Sequence, residues 1–110
     1  EMLADVDEII IPAEQSGCRH TYNQFTIRVK DGRRDELKTY LEENGIPSMI
    51  YYPYPIHQQK AYLESPHRVA GSLTNTENLC KEVLSLPMHT ELKEEIIKTI
   101  ASTIKDFFKK

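Results

Sequence analysis

Within residues 20–30, apolar and polar side chains alternate, most regularly from Gln24 to Lys30. A period of two is the repeat of a β-strand, so this segment predicts a strand with Phe25, Ile27 and Val29 on its apolar side. A second strand is predicted over residues 47–52, which are rich in bulky side chains that suit a half-buried sheet.

Two shorter apolar runs complete the predicted sheet. Residues 9–11 are three isoleucines, and they predict a short strand or an extended segment that stops at Pro12 within an extended lead-in over residues 1–18. Residues 83–86 predict a further short strand that ends at Pro87.

A spacing of three and four indicates the first helix. Leu37, Tyr40 and Leu41 predict a buried stripe on a helix over residues 33–44. Gly45 stands where a left-handed residue commonly ends a helix.

Three more helices are predicted in the second half of the chain. A short one covers residues 58–63, and another covers residues 74–81, where Thr74 and Glu77 have the spacing of a capping box. Thr90 is expected to cap the last helix. The apolar positions that recur along this helix are Leu92, Ile96, Ile97, Ile100, Ile104, Phe107 and Phe108.

Together these elements predict a single α+β domain over residues 1–110. We expect a small antiparallel or mixed sheet of three to four strands with helices packed on one face. A chain of 110 residues with 39% hydrophobic and 28% charged residues has the composition of a globular domain.

The net charge and the cysteine spacing limit which partners, metals and disulfides we expect. The net charge of −3 gives no overall attraction to nucleic acid or to a membrane surface, and we expect neither partner. Cys18 and Cys80 form no CxxC pair and no zinc-ligand run with the histidines, so we expect no metal. Two reduced thiols in a cytoplasmic protein are favoured over a disulfide.

One segment has the chemistry of a binding loop. Tyr51 and Tyr52 end a predicted strand, and prolines at positions 53 and 55 stiffen the chain before His57. Phenol and imidazole groups held in this way suit sugar hydroxyls and phosphates. The alternative is structural, with the tyrosines packed on the sheet and His57 capping the next helix.

Four segments in order resemble the DegT/DnrJ/StrS family of nucleotide-sugar aminotransferases. They are residues 20–29 (HTYNQFTIRV), the helix and turn over 34–46, residues 49–57 (MIYYPYPIH) and residues 82–89 (EVLSLPMH). The resemblance covers residues 18–108, and it is to the small C-terminal domain of a pyridoxal-phosphate enzyme of fold type I.

This resemblance implies an aminotransferase whose Schiff-base lysine and cofactor site lie in a large N-terminal domain of the same chain. The full enzyme would be a homodimer that uses pyridoxal 5'-phosphate to move an amino group from a donor such as glutamate to a nucleotide-linked keto sugar. Tyr51, Tyr52 and His57 would line the substrate pocket, with Asn23 and Gln24, on opposite faces of their strand, as further candidates. We expect no catalytic residue and no bound cofactor in these 110 residues alone, and no activity.

Two other functions remain open from the sequence. The chain could be a stand-alone α+β module that binds a ligand or regulates another protein without catalysis. It could also be an interaction domain that uses its sheet face.

Overall fold

The computed structural model describes residues 2–66 and 68–109. Within these ranges, the elements follow in the order β1 (Ile9–Ile10), β2 (Phe25–Val29), α1 (Arg34–Glu43), α2 (Lys60–Leu63), α3 (Thr74–Glu82), β3 (Val83–Leu86) and α4 (Glu94–Phe108). One turn of 3₁₀ helix, Ile56–Gln58, precedes α2.

The three strands form one antiparallel sheet in the order β1-β2-β3, with β2 in the centre. Ile9 lies opposite Val29, and Ile27 lies opposite Leu84. Because residues directly opposite each other share a face, this register places the apolar positions of all three strands on one side. The predicted α+β class with a small sheet is confirmed.

The core lies between this apolar face and the helices α1 and α4. Ile27, Val29 and Leu84 are completely buried, as are Leu41 of α1 and Ile104 of α4. The whole cluster of buried residues is Leu3, Val6, Ile9, Ile27, Val29, Leu37, Leu41, Ile46, Leu84, Leu86, Ile100, Ala101, Ile104 and Phe107. The apolar stripe predicted for the first helix therefore faces the core, as does the second half of the stripe predicted for the last helix.

The end of α1 forms a Schellman motif, as the glycine predicted. Gly45 has a φ of 72°, and its N–H donates to the Glu42 carbonyl. The Ile46 N–H donates to the Leu41 carbonyl over 2.8 Å. This arrangement satisfies the last carbonyls of the helix and buries Ile46 against it.

At the start of α1, Arg34 is a buried cation, with only 8% of the residue exposed. Its Nη1 donates to the carbonyl oxygens of Cys80 and Val83 at 3.2 and 3.3 Å, and its Nε donates to Asp35 at 2.6 Å. The two carbonyls lie where α3 ends and β3 begins, and the carbonyls of a last helical turn have no partner inside the helix. Arg34 thus ties α1 to the α3–β3 junction.

The predicted strand over residues 47–52 is wrong, because only Met49 pairs with the sheet. Met49 and Ser85 exchange two backbone hydrogen bonds of 3.0 and 2.7 Å as an isolated bridge. The neighbouring hydrogen-bonded pair in this register would be Pro47 with Pro87. Neither proline has an N–H, so the ladder cannot extend in that direction.

The predicted caps of the later helices are also wrong. The carboxylate of Glu77 accepts hydrogen bonds from other elements, and the Thr74 hydroxyl pairs with Ser72 at 2.6 Å. Neither side chain caps α3. The last helix begins at Glu94, since the chain from Thr90 first makes a turn.

The N-terminal lead-in, predicted to be extended, consists largely of turns where it precedes β1. Residues 2–5 and 7–8 form turns, and only the two residues of β1 are strand. Leu3 and Val6 are buried from these turns, because the Val6 N–H donates to the Leu3 carbonyl and folds the segment onto the core.

Both cysteines are free, as expected, with Cys18 exposed and Cys80 partly exposed. Over the described ranges, we find no helix with the length and apolar character needed to cross a bilayer.

We expect Arg34→Met to lower the free energy of unfolding by about 2–3 kcal/mol, because two buried carbonyls lose a charged donor. Arg34→Lys should fall between the parent and Arg34→Met, since an ammonium lacks the planar fork of the guanidinium. Urea unfolding followed by circular dichroism measures this, with exposed Arg19→Met as the control. Equal stability of Arg34→Met and the parent would contradict the role assigned to Arg34.

A second prediction concerns Asp5, whose carboxylate accepts a hydrogen bond from Lys105 of α4 over 2.8 Å. This bond lowers the pKa of Asp5 below its usual 3.8. The contribution to stability is therefore full above the pKa of the unfolded state and is lost as the pH falls through the lower pKa of the folded state. We expect Asp5→Asn to be less stable than the parent at pH 6 and equally stable in strong acid. Urea unfolding across this pH range measures the difference, and equal stability of Asp5→Asn and the parent at pH 6 would contradict this contribution.

Candidate functional site

The chain leaves the sheet after Met49 and forms a loop of residues 50–55, which we call the tyrosine loop. Its three phenols are exposed to different degrees, with 44% of Tyr51, 74% of Tyr52 and 66% of Tyr54 accessible. Large aromatic side chains at this exposure are available to a ligand or partner.

Tyr51 lines a cavity of about 440 Å³ beside the end of β3. We call it the polar cavity, because amide, hydroxyl and phenol groups contribute to its wall. Its lining residues are Asn23, Gln24, Pro47, Ser48, Met49, Tyr51, Ser85, Leu86, Pro87 and Met88. Three of the five predicted site residues thus meet in one place.

The prediction that Asn23 and Gln24 lie on opposite faces of a strand is wrong. They form a bend just before β2, and both line the polar cavity. The strand starts late because Tyr22 has a φ of 49°, which is outside the β region, and its N–H donates to His20 Nδ1 at 2.9 Å instead of to a ladder.

Two serines bring hydroxyl groups to the polar cavity. Ser85 is 6% exposed, and its hydroxyl pairs with Thr26 of β2 at 2.8 Å. The Oγ of Ser48 is buried and has no hydrogen-bond partner in the described parts of the chain. An unpaired buried hydroxyl is unusual in a native protein, and a polar ligand is one source of a partner.

His57 lies in a different place, at the wall of a second cavity of about 400 Å³. We call it the histidine cavity, and its wall also includes Tyr62 and Arg68. The ring Nε2 of His57 lies 3.0 Å from Oε1 of Glu77, and the same oxygen accepts a hydrogen bond of 3.1 Å from the side-chain amide of Gln58. His57 therefore contacts α3 through Glu77 and does not cap α2, the short helix that follows it.

Tyr52 lines neither cavity, and its ring contacts that of Tyr51 edge-on with centroids 6.1 Å apart. Sequence analysis missed Ser48 and Arg68 as cavity residues and misassigned Glu77 as a cap. For Ser48, the only available signal is its place between a glycine turn and the tyrosines. Nothing in the sequence pattern links Glu77 to His57.

A third cavity, of about 370 Å³, is apolar and lies between the N-terminal turns, the end of β3 and α4. Leu3, Phe25 and Leu86 line it, and Met88 and Ile97, each 40% exposed, stand at its wall. We call it the apolar cleft.

The residues present do not fit a covalent pyridoxal-phosphate site or a metal centre. No lysine lines any of the three cavities described above. Among the described residues, no three histidine, cysteine, aspartate or glutamate side chains come close enough to hold a metal ion.

Comparison with known proteins identifies the family. The family model of the DegT/DnrJ/EryC1/StrS aminotransferases matches residues 1–105. A pleiotropic regulatory protein of Geobacillus stearothermophilus is 40% identical over 103 residues, which are 94% of this chain and 27% of that protein. The UDP-N-acetyl-3-dehydro-alpha-D-glucosamine 3-aminotransferase of Acidithiobacillus ferrooxidans is 42% identical over 98 residues, which are 89% of this chain and 25% of that enzyme.

The fold also agrees with that of a solved structure. The crystal structure of S. venezuelae DesV in complex with a ketimine intermediate superposes with a TM-score of 0.86 at 30% identity. The match covers 99% of this chain and 29% of that one. The chain thus spans about a quarter of the length of these relatives. Its sequence and its fold agree, and the chain belongs to the DegT/DnrJ/EryC1/StrS aminotransferase family.

Proposed function

We propose that this chain is the small C-terminal domain of a pyridoxal-phosphate-dependent aminotransferase. The full protein transfers an amino group from a donor such as glutamate to a nucleotide-linked keto sugar. The family match and the sugar-nucleotide substrate in the name of the Acidithiobacillus relative support this function. The observation that carries it is the polar cavity, where Asn23, Gln24 and Tyr51 converge.

The lining of the polar cavity suits a neutral, hydroxyl-rich ligand. None of its lining residues is charged, and amide and hydroxyl groups can both donate and accept hydrogen bonds. A sugar ring offers the same mixture of donors and acceptors, together with an apolar face for Tyr51. The histidine cavity instead includes Arg68 among its lining residues, and an arginine suits an anionic phosphate. We therefore assign the sugar to the polar cavity and propose that His57 and Arg68 face the nucleotide.

The remaining parts of the reaction belong to other parts of the full protein. The cofactor, when bound, supplies an electron sink for the exchange of the amino group. No lysine lines the three cavities described above, and we assign the cofactor to a large N-terminal domain of the full protein. That domain would cover the apolar cleft, and the complete enzyme would be a homodimer. Two free thiols fit a reducing compartment, so we propose a cytoplasmic enzyme.

A regulatory role is the second candidate, because the Geobacillus relative carries a regulatory name. Under this alternative, the full protein binds a sugar nucleotide without turning it over. Conversion of a keto sugar to an amino sugar by the full-length protein separates the two functions.

The test incubates the full-length protein with pyridoxal phosphate, glutamate and a panel of UDP- and dTDP-linked keto sugars, and detects the amino sugar by mass spectrometry. We expect Tyr51→Phe and Asn23→Ala each to raise the KM for the sugar about three- to tenfold, since each loses one hydrogen-bonding group. Tyr54→Phe is the matched control, because this phenol is exposed and lines none of the three cavities. Amino-sugar formation with the same KM in Tyr51→Phe, Asn23→Ala and the parent would contradict the assignment of the sugar to the polar cavity.

A separate prediction concerns the 110 residues alone. Mixed with pyridoxal phosphate and then reduced with borohydride, they should show no aldimine absorbance and no adduct at one specific lysine, because no lysine lines any of the three cavities described above. Peptide mapping by mass spectrometry checks this, with the full-length protein as the positive control. A stoichiometric adduct at a single lysine would show that this chain holds a cofactor site of its own.

A further inference from the structure

Few hydrogen bonds join the tyrosine loop to the rest of the chain. Among the described residues, neither the backbone nor the side chains of residues 50–54 make a hydrogen bond to any other part of the chain. Ile50 packs against the core, but the three phenols that follow it are exposed. The position of this loop therefore depends on the residues at its two ends.

The upstream end is fixed by the sheet. Met49 exchanges two backbone hydrogen bonds with Ser85, and Ser85 is a buried residue of β3. This bridge sets the point at which the chain leaves the sheet and enters the tyrosine loop.

At the downstream end, Pro55 is buried, and a single carboxylate oxygen holds the turn that follows it. Oε1 of Glu77 binds the ring Nε2 of His57 at 3.0 Å and the amide of Gln58 at 3.1 Å. The two partners are adjacent residues of the 3₁₀ turn that begins directly after the loop. The side chain of His57 is 18% exposed and that of Glu77 is 35% exposed, so water screens this contact less than it screens an ion pair on an open surface.

Glu77 is itself held in place through the core. It lies on α3, whose last turn receives the hydrogen bond from buried Arg34 to the Cys80 carbonyl. The carboxylate thus connects the loop to a helix whose end is fixed by the folded domain.

We propose that Glu77 is a positioning residue for the substrate-binding loop. By accepting the Nε2 proton of His57, it fixes the orientation of the ring and leaves Nδ1 as the ring's other polar atom, available to a ligand. By holding His57 and Gln58 together, it sets where the tyrosine loop ends and thereby where Tyr51 stands at the polar cavity. The effect on ligand binding rests on the function proposed above, whereas the anchoring of the loop does not.

The experiment uses the full-length protein and compares Glu77→Ala with Glu82→Ala. Glu82 is a matched control, because it lies on the same helix and forms an ion pair of 2.7 Å with Arg28, away from the loop. Hydrogen exchange measured by mass spectrometry follows peptides that cover residues 50–58 and residues 25–29. Binding of UDP-N-acetylglucosamine, a non-reacting probe, is measured by calorimetry on the same samples.

We expect Glu77→Ala to raise exchange over residues 50–58 about tenfold and to weaken binding of the probe by a similar factor, with residues 25–29 unchanged. Glu82→Ala should leave residues 50–58 as in the parent. Glu77→Gln should restore most of the protection, since its amide oxygen can still accept both hydrogen bonds.

Unchanged exchange over residues 50–58 in Glu77→Ala would overturn the anchoring, as would an equal rise in Glu82→Ala. Raised exchange with an unchanged affinity for the probe would overturn the positioning role. If neither the parent nor any variant binds the probe, the proposed sugar-nucleotide function loses its support, and exchange alone decides whether Glu77 anchors the loop.

Discussion

The buried guanidinium of Arg34 is the interaction on which the arrangement of the candidate site depends. It joins the start of α1 to the two carbonyls at the α3–β3 junction, which are far from it in sequence. A buried cation must be fully paired to be tolerated, so its partners can shift little. Because β3 carries Ser85 and α3 carries Glu77, the same contact fixes both residues that hold the ends of the tyrosine loop.

The two faces of the sheet have different roles, since one packs in the core and the other carries polar groups near the polar cavity. One face presents Ile27 and Leu84 to the helices and forms the core. The other presents Thr26 and Ser85, whose hydroxyls pair with each other. Ser48, which also lines the polar cavity, has a hydroxyl with no partner among the described residues. A period of two along each strand creates this division for Thr26 and Ser85, whereas Leu86, at the end of β3, belongs both to the core and to the wall of the polar cavity.

Local patterns predicted the elements that local physics controls. The alternation around Ile27 gave the central strand, and Gly45 gave the end of α1, because both signals lie within a few neighbouring residues. The strand over residues 47–52 is limited to one pair, and on the side of Pro47 the next partner is Pro87, forty residues away, which no local pattern reveals. Glu77 was misassigned for a related reason, since its capping spacing is local but its partner His57 comes from another element.

The candidate site shows the same limit. Tyr51 was accessible to prediction because aromatic residues before paired prolines stand out in composition, whereas Ser48 has no such signal. The apolar stripe of α4 was predicted as one broad face, but only its second half, from Ile100 onward, is buried. Ile96 and Ile97 remain 45% and 40% exposed, beside the apolar cleft. A helix that carries its stripe beyond the core of its own domain has apolar surface left to bury. Under the function proposed above, this is the surface that the large N-terminal domain would cover.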